Sequence, residues 1–295
     1  MKTYFFIINP ISGNGQKQKT IDLIDKVLSD RNIKYEIKLT EYAGHASEIA
    51  KNICNTPNCV IVAVGGDGSL NEVAQSLLGS ESSLGIIPQG SGNGLARHLK
   101  IPMDTEAALL ELLNGESVKM DAGTLNGKHF FVTCGIGFDA EVSYSFSKGN
   151  LRGLAGYVKE SMILYPMYKS KKYRITNKGK TIEHEAFSIS VANASQYGND
   201  AIIAKDASIS DSLLDLCVLK KFPKLLGFHL GISMFMQNIQ QSSYFIGEQI
   251  EEIEIEHLGK GGVCNAQIDG ESIEAHFPVK IKVIPNSINI IVPKN

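Results

Sequence analysis

The stretch V-A-V-G-G-D-G-S-L-N-E-V, Val62 to Val73, runs from an apolar β-branched segment through three glycines and one aspartate into a helical pattern. Glycine has no Cβ, so another molecule can lie directly against its N–H groups, and it reaches the positive φ values that sharp turns need. A strand that ends in such a loop and passes at once into a helix is the unit of a parallel sheet. Its ligands usually sit beyond the carboxyl ends of the strands.

The rest of the first 120 or so residues repeats that unit. Strand-like runs (YFFIINP, KYEIKLT, CVIVAVGG, SLGIIP) alternate with helical patterns over Gln16 to Asp30, His45 to Cys54, Leu70 to Leu78 and Thr105 to Leu113. This predicts βα units with helices on the faces of a mostly parallel sheet. From about Asp121 the rhythm changes to short strand-like runs: HFFVTCGIGFDAEV, KYRITNKGKTIEHEAFSISVAN, LLDLCVL, QIEEIEIEH, NAQIDGE and VKIKVI. Helical insertions near Leu151 to Met167 and Phe222 to Gln240 interrupt them. The expected architecture is therefore α/β, a Rossmann-like parallel-sheet domain over residues 1–122 followed by an antiparallel β-sandwich domain over residues 123–295. The last residues are left free to return to the first domain.

Composition narrows the function. The chain has 295 residues, 43% of them hydrophobic, and a formal charge of -2, which suits a globular protein and gives no general attraction for nucleic acid. Its five cysteines are scattered and form no CxxC pair, as expected of a reduced, cytoplasmic protein without structural zinc. The start MKTYFFIINPISG reads as a first strand and not as a signal peptide. The longest apolar stretches, such as Leu225 to Ile239, carry His229, Gln237 and Asn238 and fall short of the roughly 20 residues that span a bilayer.

A second glycine loop, G-I-I-P-Q-G-S-G-N-G-L-A-R (Gly85 to Arg97), also follows a strand, as does Asn9-Pro10-Ile11-Ser12-Gly13. Backbone N–H groups and helix N-termini at such turns suit phosphate oxygens. Neither the Walker pattern nor the protein-kinase glycine loop is present. The set NPISG, GGDGSLNEV, IPQGSGNGLAR, CGIGFDAEV and IDGE, in this order, resembles the diacylglycerol kinase catalytic-domain family, soluble lipid kinases related to sphingosine and ceramide kinases. GGDG alone is shared with NAD kinases and phosphofructokinases. The Pro-x-Gly-Ser-Gly-Asn loop with the late Asp-Gly-Glu is not. The resemblance runs from Asn9 to the last strands.

It implies an ATP-binding first domain of NAD-kinase and diacylglycerol-kinase type, a β-sandwich second domain and an active site in the cleft between them. The phosphates would be held by Asn9, Pro10, Ile11, Ser12 and Gly13, by Gly65, Gly66, Asp67, Gly68, Ser69, Leu70 and Asn71, and by Ser91, with Thr40 also contacting ATP. Asp67 faces phosphate, where its charge is tolerable through Mg²⁺; an Asx turn or a cap of the following helix is the other reading of the same residue. Glu271 falls on the position of the proton acceptor and Asp269 belongs to the same acidic pair, with their roles interchangeable. In isolation a DGE tripeptide is a hairpin tip. The stretch AKDASISDSLLDLCVL resembles a structural Mg²⁺ site, with Asp211 as ligand and the carbonyls of Ser208 and Leu213 beside it. It departs from the pattern at Ser212, where glycine is usual, and at Asp215, an extra acid. Gly94 stands where bacterial diacylglycerol kinases commonly carry an acid, so the acceptor lipid is left open between glycerolipid and sphingolipid.

Between Val142 and Lys180 lie nine basic residues (Lys148, Arg152, Lys159, Lys169, Lys171, Lys172, Arg174, Lys178, Lys180) against one acid, Glu160, a local charge of +8. Tyr144, Phe146, Tyr157, Tyr165, Tyr168 and Tyr173 are interleaved with them. That mixture suits the headgroup zone of an anionic membrane, and equally a solvated face. The expected protein is thus a cytoplasmic lipid kinase, peripheral at the inner face of the membrane, using ATP and Mg²⁺; a homodimer is left open. The alternatives are a kinase of a soluble alcohol such as NAD, and a non-catalytic nucleotide or lipid sensor.

Overall fold

The computed structural model describes residues 2–10, 17–149 and 153–294. The chain divides into two units, one of residues 1–120 with 286–295 and one of residues 121–285.

In the first unit the order is β1 (Thr3–Ile8), α1 (Lys17–Asp30), β2 (Lys34–Leu39), α2 (His45–Ile53), β3 (Cys59–Gly65), α3 (Asp67–Ser76), β4 (Ser83–Pro88), α4 (Gly94–His98) and α5 (Thr105–Asn114). β1 pairs in parallel with β2 and β3, and β3 with β4. Every residue of β3 is buried, as continuous apolar runs in a doubly covered parallel sheet should be. The edge strand β2 is half exposed. Ile24, Val27 and Leu28 of α1 pack with Leu109 and Leu112 of α5 on Tyr4, Phe6, Val62 and Ile87. Residues 289 and 290 add a further parallel partner to β4, Asn289 opposite Ser83 and Ile290 opposite Leu84.

The second unit is an antiparallel β-sandwich. β5 (Glu116–Leu125) enters it, followed by β6 (Lys128–Phe130), β7 (Thr133–Gly137), α6 (Phe138–Lys148), α7 (Gly153–Leu164), β8 (Lys171–Asn177), β9 (Lys180–Ala192), β10 (Gln196–Gly198), β11 (Ala201–Ile202) and β12 (Leu214–Lys220). Then come α8 (Gly227–Phe235), β13 (Phe245–Ile250), β14 (Glu252–His257), β15 (Val263–Ile268), β16 (Glu271–His276) and β17 (Val279–Val292). The 13-residue β9 pairs antiparallel with β7, β8 and β12, so one long strand organises the unit. β15 lies between β7 and β16. Their inward residues, among them Phe130, Ile136, Ile189, Leu216, Ile255 and Ile281, form one core.

Two local readings of the sequence change. The run HFFVTCGIGFDAEV is not all strand: Gly137 takes φ 106, which ends β7 and starts α6 at Phe138. The first glycine loop is shorter than its composition suggests, because α3 begins at Asp67 itself, directly after Gly66.

Gly123 pairs with Phe130 in the β5–β6 hairpin, and the Phe130 ring lies flat over it; a Cβ at Gly123 would stand 2.0 Å from the ring. Phe130 is fully buried and cannot swing away. Gly123→Ala is therefore expected to destabilise the protein by about 1–3 kcal/mol through overpacking, measured by urea unfolding; a change below about 0.5 kcal/mol would show that the ring relaxes freely.

Candidate functional site

The parallel strands of the first unit all end at one edge, and the backbone just past each end continues the ladder. Asn9 N–H donates to Val64 carbonyl at 3.1 Å, Thr40 N–H to Ile8 carbonyl at 3.0 Å and Gln89 N–H to Gly65 carbonyl at 2.7 Å. Asn9, Thr40, Gly65 and Gln89 are thereby set side by side. Asn9 Nδ2 also donates to Ser69 Oγ at 3.2 Å, which ties the end of β1 to the first turn of α3. Gly66 meets Gly90 backbone to backbone: a Cβ on Gly90 would lie 2.5 Å from Gly66 Cα. The two glycine loops touch, and bareness is required for that contact before any ligand is considered.

A helix begins with N–H groups that no helical carbonyl reaches. Asp67 satisfies two of those at the start of α4, its Oδ2 accepting from Asn93 N–H and its Oδ1 from Gly94 N–H, both at 2.8 Å. Glu72, on the same helix α3, does the same for α2, accepting from Gly44 N–H at 2.9 Å and Ala46 N–H at 3.1 Å. α3 itself starts on Gly66, which has no side chain to cap it. The two acids of α3 thus hold backbone at the helices on either side, while Gly66 gives α3 itself no side-chain cap, and a helix start is positive in partial charge and suits an anion.

The second loop is closed by its own asparagine. Asn93, at φ 53, accepts from Gly90 N–H at 3.0 Å and donates to Gly90 carbonyl at 2.7 Å, and Arg97 Nε holds Gly92 carbonyl at 3.0 Å. A Cβ on Gly92 would come within 2.6 Å of Asp67 Oδ2. Ser91 is left exposed at the tip.

Of the residues named from the sequence, Asn9, Pro10, Thr40, Gly65, Gly66, Asp67, Gly68, Ser69, Asn71 and Ser91 belong to these loops and the helix start that follows them. Ile11, Ser12 and Gly13 lie outside the described residues. Leu70 buries its side chain and gives its N–H to Gly66 carbonyl, so it shapes the turn and presents no group outward. Glu72 and Asn93 carry structure that sequence reading passed over. Each acts on backbone, and for Glu72 the turn that donates to it lies 26 to 28 residues away with no spacing rule to announce it.

In the second unit Asp269, at φ 50, sits between β15 and β16. Its carboxylate accepts from three consecutive N–H groups: Phe131 at 2.9 Å, Val132 at 2.8 Å and Thr133 at 3.0 Å. Its own N–H donates to Thr133 carbonyl at 2.7 Å. Gly270, at φ 84, then turns the chain so that Glu271 opens β16 with its side chain exposed. The two acids therefore have different surroundings: Asp269 is a tie between strands, and Glu271 reaches solvent.

At the third candidate, Asp211 Oδ1 accepts from Leu213 N–H at 3.0 Å and Oδ2 from Gln249 Nε2 at 3.3 Å. Ser212 takes φ 63, the left-handed conformation that explains why glycine is favoured there, and its N–H is held by buried Asp121 at 2.7 Å. Burial first, and then the charges of Asp211 and Asp206, push Asp215 up to about 6. Among the described residues no group of three His, Cys, Asp or Glu converges as a metal cage.

One further acid is fully enclosed. Asp139, in the first turn of α6, receives Ser190 Oγ at 3.3 Å and Tyr197 hydroxyl at 3.4 Å on Oδ2, while Oδ1 has no hydrogen-bond partner among the described residues. Burial raises its pKa to about 6, against the lowering effect of the Ala140 N–H and Ser190.

Two measurements follow. Asp67→Asn puts an amide donor against a backbone donor and leaves one N–H of the Asn93–Gly94 pair unsatisfied, so it should lower stability by about 1–3 kcal/mol. Glu72→Gln should do likewise. Unfolding midpoints identical to wild type in both variants would refute these caps. For Asp139 the folded-state pKa lies above the unfolded one, so the stability it contributes is complete below about pH 3.8 and lost as pH rises through about 6. Asp139→Asn should remove that slope, gaining on wild type by on the order of 2 to 3 kcal/mol between pH 4 and 7. Parallel urea curves at the two pH values would count against it.

Both units match known protein families. Residues 3–125 match the family model of the diacylglycerol kinase catalytic domain, and residues 132–292 that of the YegS C-terminal NAD kinase beta sandwich-like domain. The chain is 32% identical over 227 residues to the diacylglycerol kinase of Bacillus subtilis strain 168, covering 75% of each protein. It is 27% identical over 296 residues to the "Probable lipid kinase YegS-like" of Serratia proteamaculans, covering 97% of this chain and 93% of that one. The crystal structure of a diacylglycerol kinase from Bacillus anthracis superposes with a TM-score of 0.76 at 21% identity, over 99% of this chain and 96% of the other, a likeness of fold. Two matched domains in sequence order and the Bacillus subtilis relative lead to one statement: the chain belongs to the diacylglycerol kinase and YegS-like family of lipid kinases.

Proposed function

We propose that this protein transfers the γ-phosphoryl group of ATP to a hydroxyl of a membrane lipid, a diacylglycerol or a related glycero- or sphingolipid. The observation that supports the nucleotide half is the start of α3, where Gly66 supplies no side-chain cap, set between two loops whose helix starts are held by Asp67 and Glu72. The N–H groups of its first turn, with Asn9, Thr40, Ser69 and Ser91, are the groups we assign to phosphate and nucleotide.

Each Asp67 oxygen that accepts one N–H keeps a second lone pair. With no protein cage among the described residues, this donor set fits a Mg²⁺ held chiefly by phosphate and water, as that ion prefers, with Asp67 beside it. Such an ion would supply neutralisation of the charge on the phosphates. Asp211 and the carbonyls of Ser208 and Leu213 are the candidates for a separate structural Mg²⁺.

In the acceptor half, Glu271 is the carboxylate we assign as base, because Asp269 is committed to three backbone N–H groups and Glu271 is exposed. Glu271 would take the hydroxyl proton as the alcohol oxygen attacks the γ-phosphorus. The bond from that phosphorus to the bridging oxygen breaks, and ADP leaves. Phosphoryl transfer asks of the protein mostly positioning and charge stabilisation, which rigid loops tied by carboxylates supply. A soluble-alcohol kinase is the competing reading, and the lipid-kinase relatives favour the lipid.

Purified protein with labelled ATP and diacylglycerol, monoacylglycerol, sphingosine or ceramide in mixed micelles tests the reading; it falls if none is phosphorylated. The acids separate by kind of loss. Glu271→Gln should lower kcat about 10²- to 10⁴-fold with KM for ATP and the unfolding midpoint nearly unchanged. Asp269→Asn should cost stability as well as rate, since buried N–H groups lose acceptors. Wild-type kcat in Glu271→Gln would remove it as base.

A further inference from the structure

Two helices of the second unit carry their apolar stripes outward, the reverse of an ordinary surface helix. In α8 the buried residues are Leu230 and Ser233, whereas Phe228, Ile232 and Phe235, on one face at i, i+4 and i+7, are exposed. α7 buries only Gly156 and exposes Leu154, Val158 and Met162 at i, i+4 and i+8. The extremes are Leu225 at 96% exposure, Phe228 at 81%, Met162 at 72% and Met167 at 71%, large side chains held almost wholly in water.

The two helices are fastened together. Tyr165 hydroxyl donates to Lys224 carbonyl at 2.6 Å, Lys224 ammonium donates to Pro166 carbonyl, and Gly227 lies so close beneath Tyr165 that a Cβ would overlap its hydroxyl. Met162 and Met167 therefore stand beside the same junction as Leu225 and Phe228. The charge around them is mostly positive, with Glu160 of α7 and Glu185, paired with Lys221, as the acids near them. Lys159, Lys169 and Lys224 are exposed there. Residues 221–241 contain no Asp or Glu. The one acid of α7, Glu160, is engaged by Ser145 Oγ at 2.6 Å. No described helix is long and apolar enough to cross a membrane.

The basic run identified from the sequence divides at this point. Lys171 pairs with Glu141, Arg174 with Glu183 and Glu256, and Lys178 with Glu251, all acids outside residues 142–180. Lys148 covers the Tyr144 ring. Tyr173 is buried, and Tyr165 and Tyr168 pack with Phe138 and Phe187. The hairpin β8–β9 is therefore a paired, solvated surface, and the apolar helices beside it are not.

We propose that α7 and α8 form one membrane-docking surface that lies in the headgroup zone of an anionic bilayer, its apolar side chains immersed and Lys159, Lys169 and Lys224 against the lipid phosphates. The choice of a bilayer as occupant rests on the lipid-kinase reading above. A second copy of this chain, the other occupant an apolar surface suggests, would bring the same cationic rim against itself in a two-fold contact. Apolar burial plus attraction to anionic lipid is how interfacial helices bind, and contiguous exposed apolar patches mark interaction sites.

The test is sedimentation with vesicles of equal parts phosphatidylglycerol and phosphatidylcholine, without ATP or acceptor. Wild type should bind, and Met162→Ser, Leu225→Ser and Phe228→Ser together should weaken binding at least about a hundredfold, with circular dichroism and urea midpoint unchanged because all three are exposed. Lys159→Ser, Lys169→Ser and Lys224→Ser together should weaken it at low salt and abolish its salt dependence. Wild type that ignores vesicles, or an apolar triple variant that sediments like wild type, overturns the proposal. So does a wild-type dimer that the triple variant converts to monomer in sedimentation velocity while neither binds vesicles. Vesicle binding through these side chains by a protein that phosphorylates no lipid would sustain this inference and remove the proposed function, so the two fail separately.

Discussion

A backbone N–H at the start of a helix has no helical partner, and burying it unpaired costs about as much as a lost hydrogen bond. The first unit meets this constraint at the starts of α2, α3 and α4, which its parallel strands deliver to one edge. It answers with carboxylates borrowed from a neighbour: α3 lends Asp67 to α4 and Glu72 to α2. The helix that lends both acids starts on a glycine and keeps no cap of its own. The loops on either side are fixed by that arrangement, and so is the place where outside negative charge is most welcome.

The second unit repeats the device with different elements. Asp269 gathers three successive N–H groups after β6, and buried Asp121 takes the N–H of Ser212. Acids that stand out in the sequence as chemical candidates are thus in large part tension members. A carboxylate with two or three N–H donors is oriented without any entropy left to lose, and what it orients is the loop beside it. Glu271 is the contrasting case, an acid delivered to solvent by a turn that Gly270 makes possible at positive φ.

The sequence disclosed the alternation of strand and helix, the change near Asp121 and the glycine loops, because each follows from period or from residue type alone. It disclosed less where the deciding partner is distant. The start of α3 reads as loop because Gly66, Asp67 and Gly68 are poor helix formers, and α4 is a five-residue helix steadied by an acid 26 and 27 residues earlier. The DAEV segment reads as strand until Gly137 is seen to turn. Charge was misleading for a related reason: a window of sequence counts cations without the acids that other strands bring opposite them, as Glu183, Glu251 and Glu256 are brought opposite Arg174 and Lys178. The outward apolar faces of α7 and α8 were invisible, since a helix of that composition is ordinarily assigned to a core.

The pairing of residues 289 and 290 with β4 has a consequence in time. Synthesis delivers β1 to β4 early, but the strand that covers the open side of β4 follows the whole of residues 121–285. At the ordinary pace of translation that interval is on the order of ten to thirty seconds. Through it β4, buried along most of its length in the finished fold, presents an unpaired apolar edge of the kind that recruits foreign strands. The nascent chain is thus most exposed to misassembly while its second unit is being made, and a holdase acting on it has its target there.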